Sequence, residues 1–179
     1  HIDVPVHFST ALLTSATISL HAYTIVQESD TIVETIITGG YNKTAHRAGT
    51  GYCYEERNGE FHTPGTINIL VFTNKALTYS AMVKAIMTIT EAKTAALQNW
   101  QVESTDEVQK YNINVDHSLA KEVHTSATGT ATDGIVLTID TNGDLLTDAG
   151  SYSLFGDTLA KAVYIGVQRA LTLAIEFDD

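Results

Sequence analysis

The amino-acid sequence predicts an α+β fold, a mixed or mostly antiparallel sheet with helices packed on it. Three observations carry that expectation. Short β-branched runs with period-two alternation occupy much of the chain before residue 75. Two longer segments switch to apolar spacings of three and four. The order is strands, a helix, a strand pair, then a helix, which suits helices laid on one side of a sheet.

The elements follow in turn. "HFSTALLTSATISLHAYTIVQ" (7–27) is rich in Thr, Ile, Val and Leu, and its part "TISLHAYTIV" alternates as a strand does. "DTIVETIITGGY" (30–41) reads as a second strand ending at Gly39-Gly40. A long polar, glycine-bearing loop follows, "NKTAHRAGTGYCYEERNGEFHTPG". "TINILVFTN" (66–74) reads as a buried strand. In 78–100, Met82, Ile86, Ile89, Ala92, Ala96 and Leu97 form one helical stripe, with Thr78 or Ser80 as its cap. Residues 101–122 are polar and poorly periodic. Asn142-Gly143 predicts a hairpin between 134–140 and 145–147, because a type I′ turn needs positive φ at both central residues. In 156–176, Leu159, Val163, Val167, Ala170, Leu171 and Ala174 share a helix face, with Asp157 at the start, where a carboxylate favours the helix dipole.

The 179 residues suit one domain spanning 1–179. The net charge of −11 has the wrong sign for a nucleic-acid backbone or an anionic membrane surface, so neither partner is expected. No apolar run reaches a membrane span and no signal peptide is visible. The single cysteine, Cys53, excludes a disulfide within the chain and fits a reducing, cytoplasmic compartment.

Several residues invite chemistry. "DTNGD" begins like a calcium loop, but Leu145 takes the glycine place and no Glu sits at the twelfth, so a turn is the better reading. The seven histidines show no metal-ligand spacing. His46 and His62 lie in the same loop as Cys53, but no motif supports a Cys–His pair, and an inert thiol is expected. Asn68 is unusual in a strand and, if buried, needs partners in the protein or on a ligand. Thr88, Thr90 and Thr94 crowd the middle of the first helix, where one face either meets a polar site or is simply solvated. Glu91 and Lys93, two apart, point to different faces. In "ATGTATD" (127–133), Thr128, Thr130 and Thr132 alternate, so three hydroxyls can line one surface, with Gly129 permitting close approach and Asp133 at the strand's start. The same residues can also serve only a local turn.

"GTINILVFTNKALTYSAMVKAIMTITEAKTAAL" (65–97) resembles the central block of the adenosylcobinamide amidohydrolase family. "ATGTATDGIV" (127–136) is similar to its A-T-G-T-G-T-D hallmark, with Ala131 in place of a glycine. "GDTLAKAVYIGVQRAL" (156–171) is similar to its closing helix, and Asn42 in "IITGGYNKTAHRAG" is the nearest match to a family Asn. The resemblance covers about residues 30 to 172, without the family's earlier N-terminal part, which implies a trimmed or shortened member.

The resemblance implies hydrolysis of the amide between aminopropanol and the corrin ring's propionyl arm. The product, adenosylcobyric acid, re-enters coenzyme B12 assembly. A corrinoid is therefore the implied partner. Amide hydrolysis needs an activated nucleophile and a stabilised oxyanion. No serine-nucleophile elbow or zinc motif is present. That leaves water activated by Glu91 or Asp133, the favoured reading, or a Thr nucleophile at 128 or 130. Asn42, Asn68, Lys93 and His46 join Thr128, Gly129, Thr130 and Thr132 as implied substrate contacts. Glu91 and Asp133 are expected to share a cleft, with Asn68 beside them. No cofactor is evident; a divalent metal on these carboxylates and a loop histidine stays open, as does a homo-oligomer. The rival readings are a non-catalytic corrinoid-binding module and a plain oligomerising domain.

Overall fold

The computed structural model describes residues 9–14, 16–41, 44–49, 66–102 and 126–176. Its centre is a four-stranded mixed sheet in the order β1 (Ala22–Glu28), β2 (Thr31–Gly39), β4 (Ile67–Thr73), β7 (Gly134–Ile139). β2 runs antiparallel to both β1 and β4, and β7 adds parallel to β4. Two short pairs flank it: β3 (Ala45–His46) with β6 (Gly129–Thr130), and β5 (Ala76–Leu77) with β8 (Leu145–Leu146). Helices α1 (Tyr79–Asn99) and α2 (Leu154–Glu176) complete the α+β arrangement.

The core lies between the helices and one face of the sheet. Val33, Ile37, Ile69 and Val71 alternate toward it with none of their surface exposed, the period-two signature of a half-buried sheet. Leu159, Val163, Val167, Ala170 and Leu171 of α2 bury the stripe expected of them, while Ala174 is only half-buried. The stripe of α1 is turned from the expected one. Ala81, Ala85, Ile89, Ala92, Ala96 and Leu97 are buried, whereas Ile86 is exposed. Small alanines let α1 approach its neighbour closely, so closeness of fit rather than side-chain size chooses the buried face.

Local chemistry sets the helix starts. Thr78 Oγ1 accepts from Ala81 N–H at 3.2 Å, so Thr78 and not Ser80 caps α1. Ser153 Oγ accepts from Gly156 N–H at 3.0 Å and caps α2, which begins at Leu154, two residues before the expected start.

Two expectations about strands are corrected. Residues 9–14 and 16–21 are not part of a strand; they hold only a 3₁₀ turn, Ile18–Leu20. Leu13 instead gives its carbonyl to Asn68 Nδ2 at 2.8 Å, which draws this segment across the sheet. The second correction concerns the hairpin at Asn142-Gly143. β7 pairs with β4 and β8 with β5, and neither Asn142 nor Gly143 has positive φ. Asp140 closes this turn, its side chain accepting from Asn142 N–H at 2.9 Å and its carbonyl from Gly143 N–H at 3.1 Å. Glycine is needed at 143 for space, since a Cβ there would stand 2.2 Å from the Asn74 carbonyl oxygen.

Lys75 clasps two turns together. Its buried ammonium meets Asp30 Oδ2 at 2.5 Å and Asp144 Oδ2 at 2.9 Å. The bond from Lys75 holds the Asp30 carboxyl below its ordinary value, and Asp30 and Asp144 raise Lys75 in return. A carboxyl lowered by folding contributes stability above its unfolded value and loses it as pH falls through the folded one. Acid titration of wild type and Asp30→Asn should therefore show a stability difference at neutral pH that vanishes in strong acid. A difference that is independent of pH would contradict this assignment.

Candidate functional site

The segment "ATGTATD" folds back on itself and is held by its last residue. Thr130 pairs with Ala45 and Gly129 with His46 in a short antiparallel ladder. The chain then turns, and Asp133 arrives beside the start of β4. There its Oδ1 accepts from Ile67 N–H at 3.0 Å and from the Thr130 hydroxyl. Its Oδ2 accepts from Thr130 N–H at 3.1 Å and from Lys93 Nζ. A carboxylate has about four acceptor positions, so all of them are filled from within the protein.

Lys93 reaches this carboxylate from α1. It is 7% exposed, and Asp133 is its acceptor among the described residues. One turn of helix places Thr90, Lys93 and Thr94 on a common face. Those three, His46, Ala48 and residues 128–133 line a cavity of about 480 Å³. Gly129 lies directly over the ion pair. A Cβ at this position would stand 2.6 Å from Asp133 Oδ2 and 2.9 Å from Lys93 Nζ. The glycine therefore makes room for two side chains of the protein itself, whereas the sequence predicts the approach of a ligand or of backbone.

The three threonines line the cavity together with Gly129, Ala131 and Asp133, not as an alternating set, and two of their hydroxyls hold the loop. Thr128 Oγ1 accepts from Ala48 N–H at 2.9 Å, and the Thr130 hydroxyl donates to Asp133. A hydroxyl that accepts keeps its own hydrogen to donate, so Thr128 can still serve a ligand carbonyl. Thr94 donates to the Thr128 carbonyl at 3.2 Å and ties the loop to α1. His46 is also among the lining residues. Its Nδ1 is buried and has no hydrogen-bond partner among the described residues.

The expected shared cleft of Glu91 and Asp133 is corrected. Glu91 is exposed and does not line the cavity. At about 100° per residue it stands roughly 200° around α1 from Lys93, so the helix that presents the lysine must turn the glutamate away. Asn68 also lies elsewhere. It is 4% exposed, and its Nδ2 donates within the protein to the Leu13 carbonyl at 2.8 Å. Asn42, Cys53 and His62 lie outside the described residues.

The Lys93–Asp133 pair and the Ile67 amide behind it were missed as a unit by the sequence reading. The available signal was helical spacing: Thr90, Lys93 and Thr94 share a face that Glu91 does not. Among the described residues no group of three or more His, Cys, Asp or Glu side chains could hold a metal ion. No described helix is long and apolar enough to cross a membrane.

Fold and site together define an α+β protein with a hydroxyl-lined cavity whose wall carries a buried lysine–aspartate pair. The adenosylcobinamide amidohydrolase family model, CbiZ, matches residues 2–178, and the chain belongs to that family. The match reaches beyond residues 30–172 at both ends. The chain is also similar to the uncharacterized protein MJ1613 of Methanocaldococcus jannaschii, with 39% identity over 107 residues. That match takes in 60% of this chain and only 36% of the relative's length.

Proposed function

We propose that the chain hydrolyses adenosylcobinamide at the amide that joins aminopropanol to the corrin ring, giving adenosylcobyric acid for coenzyme B12 salvage in the cytoplasm. The observation that carries this reading is the convergence of the two motif segments: "ATGTATD" and the helix turn around Lys93 build one cavity. Family membership supplies the substrate class. A corrinoid is fringed with carboxamides, and the Thr128 hydroxyl, which keeps its hydrogen to donate, can meet such a rim with a neutral hydrogen bond.

Hydrolysis needs only water and a proton carrier beside the scissile amide. Water attacks the amide carbon, and the carbonyl electrons move onto oxygen. The intermediate collapses, the C–N bond breaks, and the leaving nitrogen takes a proton given up by the attacking water. His46, one of the residues lining the cavity, can carry that proton. The new carboxylic acid then ionises and its proton completes the ammonium of aminopropanol. Glu91, outside the cavity, is assigned no step.

Incubation with adenosylcobinamide and chromatography for adenosylcobyric acid tests the reading. Product should form, and Glu91→Gln should retain kcat within about threefold, as expected for an exposed side chain that touches no reacting group. Tight corrinoid binding without product at any protein concentration would instead make this a binding module.

A further inference from the structure

The geometry points to Lys93 as the catalytic residue that holds the developing oxyanion, with Asp133 as its positioning residue and not a base. This rests on the amide-hydrolysis reading above and assigns the roles within it.

Asp133 is closed to the reaction by its own bonds. A general base needs a lone pair turned toward the water it deprotonates. Both oxygens of Asp133 are already committed, to Ile67 N–H, the Thr130 amide, the Thr130 hydroxyl and Lys93. Taking a proton would cost it the bonds that hold the loop to β4.

Lys93 has the opposite character. An ammonium carries three donors, and Asp133 takes one. Among the described residues the others have no acceptor and remain for one in the cavity, whose wall includes Lys93. The long lysine side chain is deprived of its usual freedom, because it is 7% exposed and tethered at its tip. A preorganised, partly desolvated donor is what stabilises charge appearing on a carbonyl oxygen. Gly129 completes the arrangement. Any side chain there would meet both the carboxylate and the ammonium, so the bare backbone leaves the charged tip approachable from the loop side. No proton need leave Lys93: the amide oxygen gains negative charge when water adds, is held by the N–H groups, and loses that charge when the C–N bond breaks.

The pair therefore acts as one unit, which a double-mutant cycle can read on the full chain with adenosylcobinamide as substrate. Lys93→Gln keeps a donor for Asp133 but removes the charge. Its kcat should fall about 10²- to 10³-fold, the scale of losing an oxyanion donor, with KM changed far less. Asp133→Asn should lose a comparable factor, because a neutral amide no longer supplies the charge that holds the ammonium, and its NH2 must face groups that donate. The double variant should be no slower than the worse single variant, since both changes remove the same placed charge. Propylammonium added to Lys93→Ala should restore part of the lost kcat, which a purely structural lysine would not allow.

Undiminished kcat in Lys93→Gln would make the ion pair structural and overturn the inference while leaving the family reaction in place. Losses that multiply in the double variant would make Asp133 an independent catalyst and overturn its positioning role. Absence of product from the wild-type chain would remove the reaction and this inference together.

Discussion

Gly129→Ala should lower kcat about 10²-fold while the protein stays folded. The added methyl would stand 2.6 Å from Asp133 Oδ2 and 2.9 Å from Lys93 Nζ, and both distances are too short for real contacts. Asp133 cannot retreat easily, because Ile67 N–H and both donors of Thr130 pin it. Lys93 is the softer partner and must move. A catalytic group displaced by about 1 Å costs on the order of 10²-fold in rate. Steady-state kinetics with adenosylcobinamide reads the rate, and thermal unfolding reads the fold. Wild-type kcat in this variant would mean that the position of the ion pair does not matter to turnover.

Ile69→Ala should cause the largest loss of stability among single core changes in β4. Ile69 is fully buried, with Ile37 opposite it on β2 and Ile135 opposite it on β7. Truncation leaves a cavity between two strand neighbours that are themselves hydrogen-bonded in place, so the gap cannot close. Such changes cost about 2–5 kcal/mol, a large part of a typical total of about 5–15 kcal/mol. A urea titration should show the midpoint moving down with little change in slope. A loss under about 1 kcal/mol would contradict the packing described for this strand. The experiment also bears on the site, because β4 begins at Ile67, whose amide holds Asp133.

Much of the fold was legible in the chain itself, because periodicity is local. The alternation of 30–41 and 66–74 appears as β2 and β4 within a residue or two, and the three-four spacing of 78–100 and 156–176 appears as α1 and α2. Thr78 as a cap follows from hydroxyl chemistry three residues from its target. The loop "ATGTATD" was visible as a place of close approach. What tertiary structure alone decided is which of these pieces meet. Asn-Gly announces a hairpin, yet β7 found its partner in β4, because the sheet offered an edge and Asp140 could close the turn without positive φ. Asn68 looked like a ligand contact until Leu13 supplied its acceptor. Glu91 and Lys93 are equally polar on paper. The choice between them belongs to the rotation of α1, set by the burial of Ala81, Ala85, Ala92 and Ala96. Asp133 then meets Lys93 across 40 positions and Ile67 across 66. No spacing rule reaches that far. A local pattern tells a residue which way to face, and only the packed chain determines what it faces.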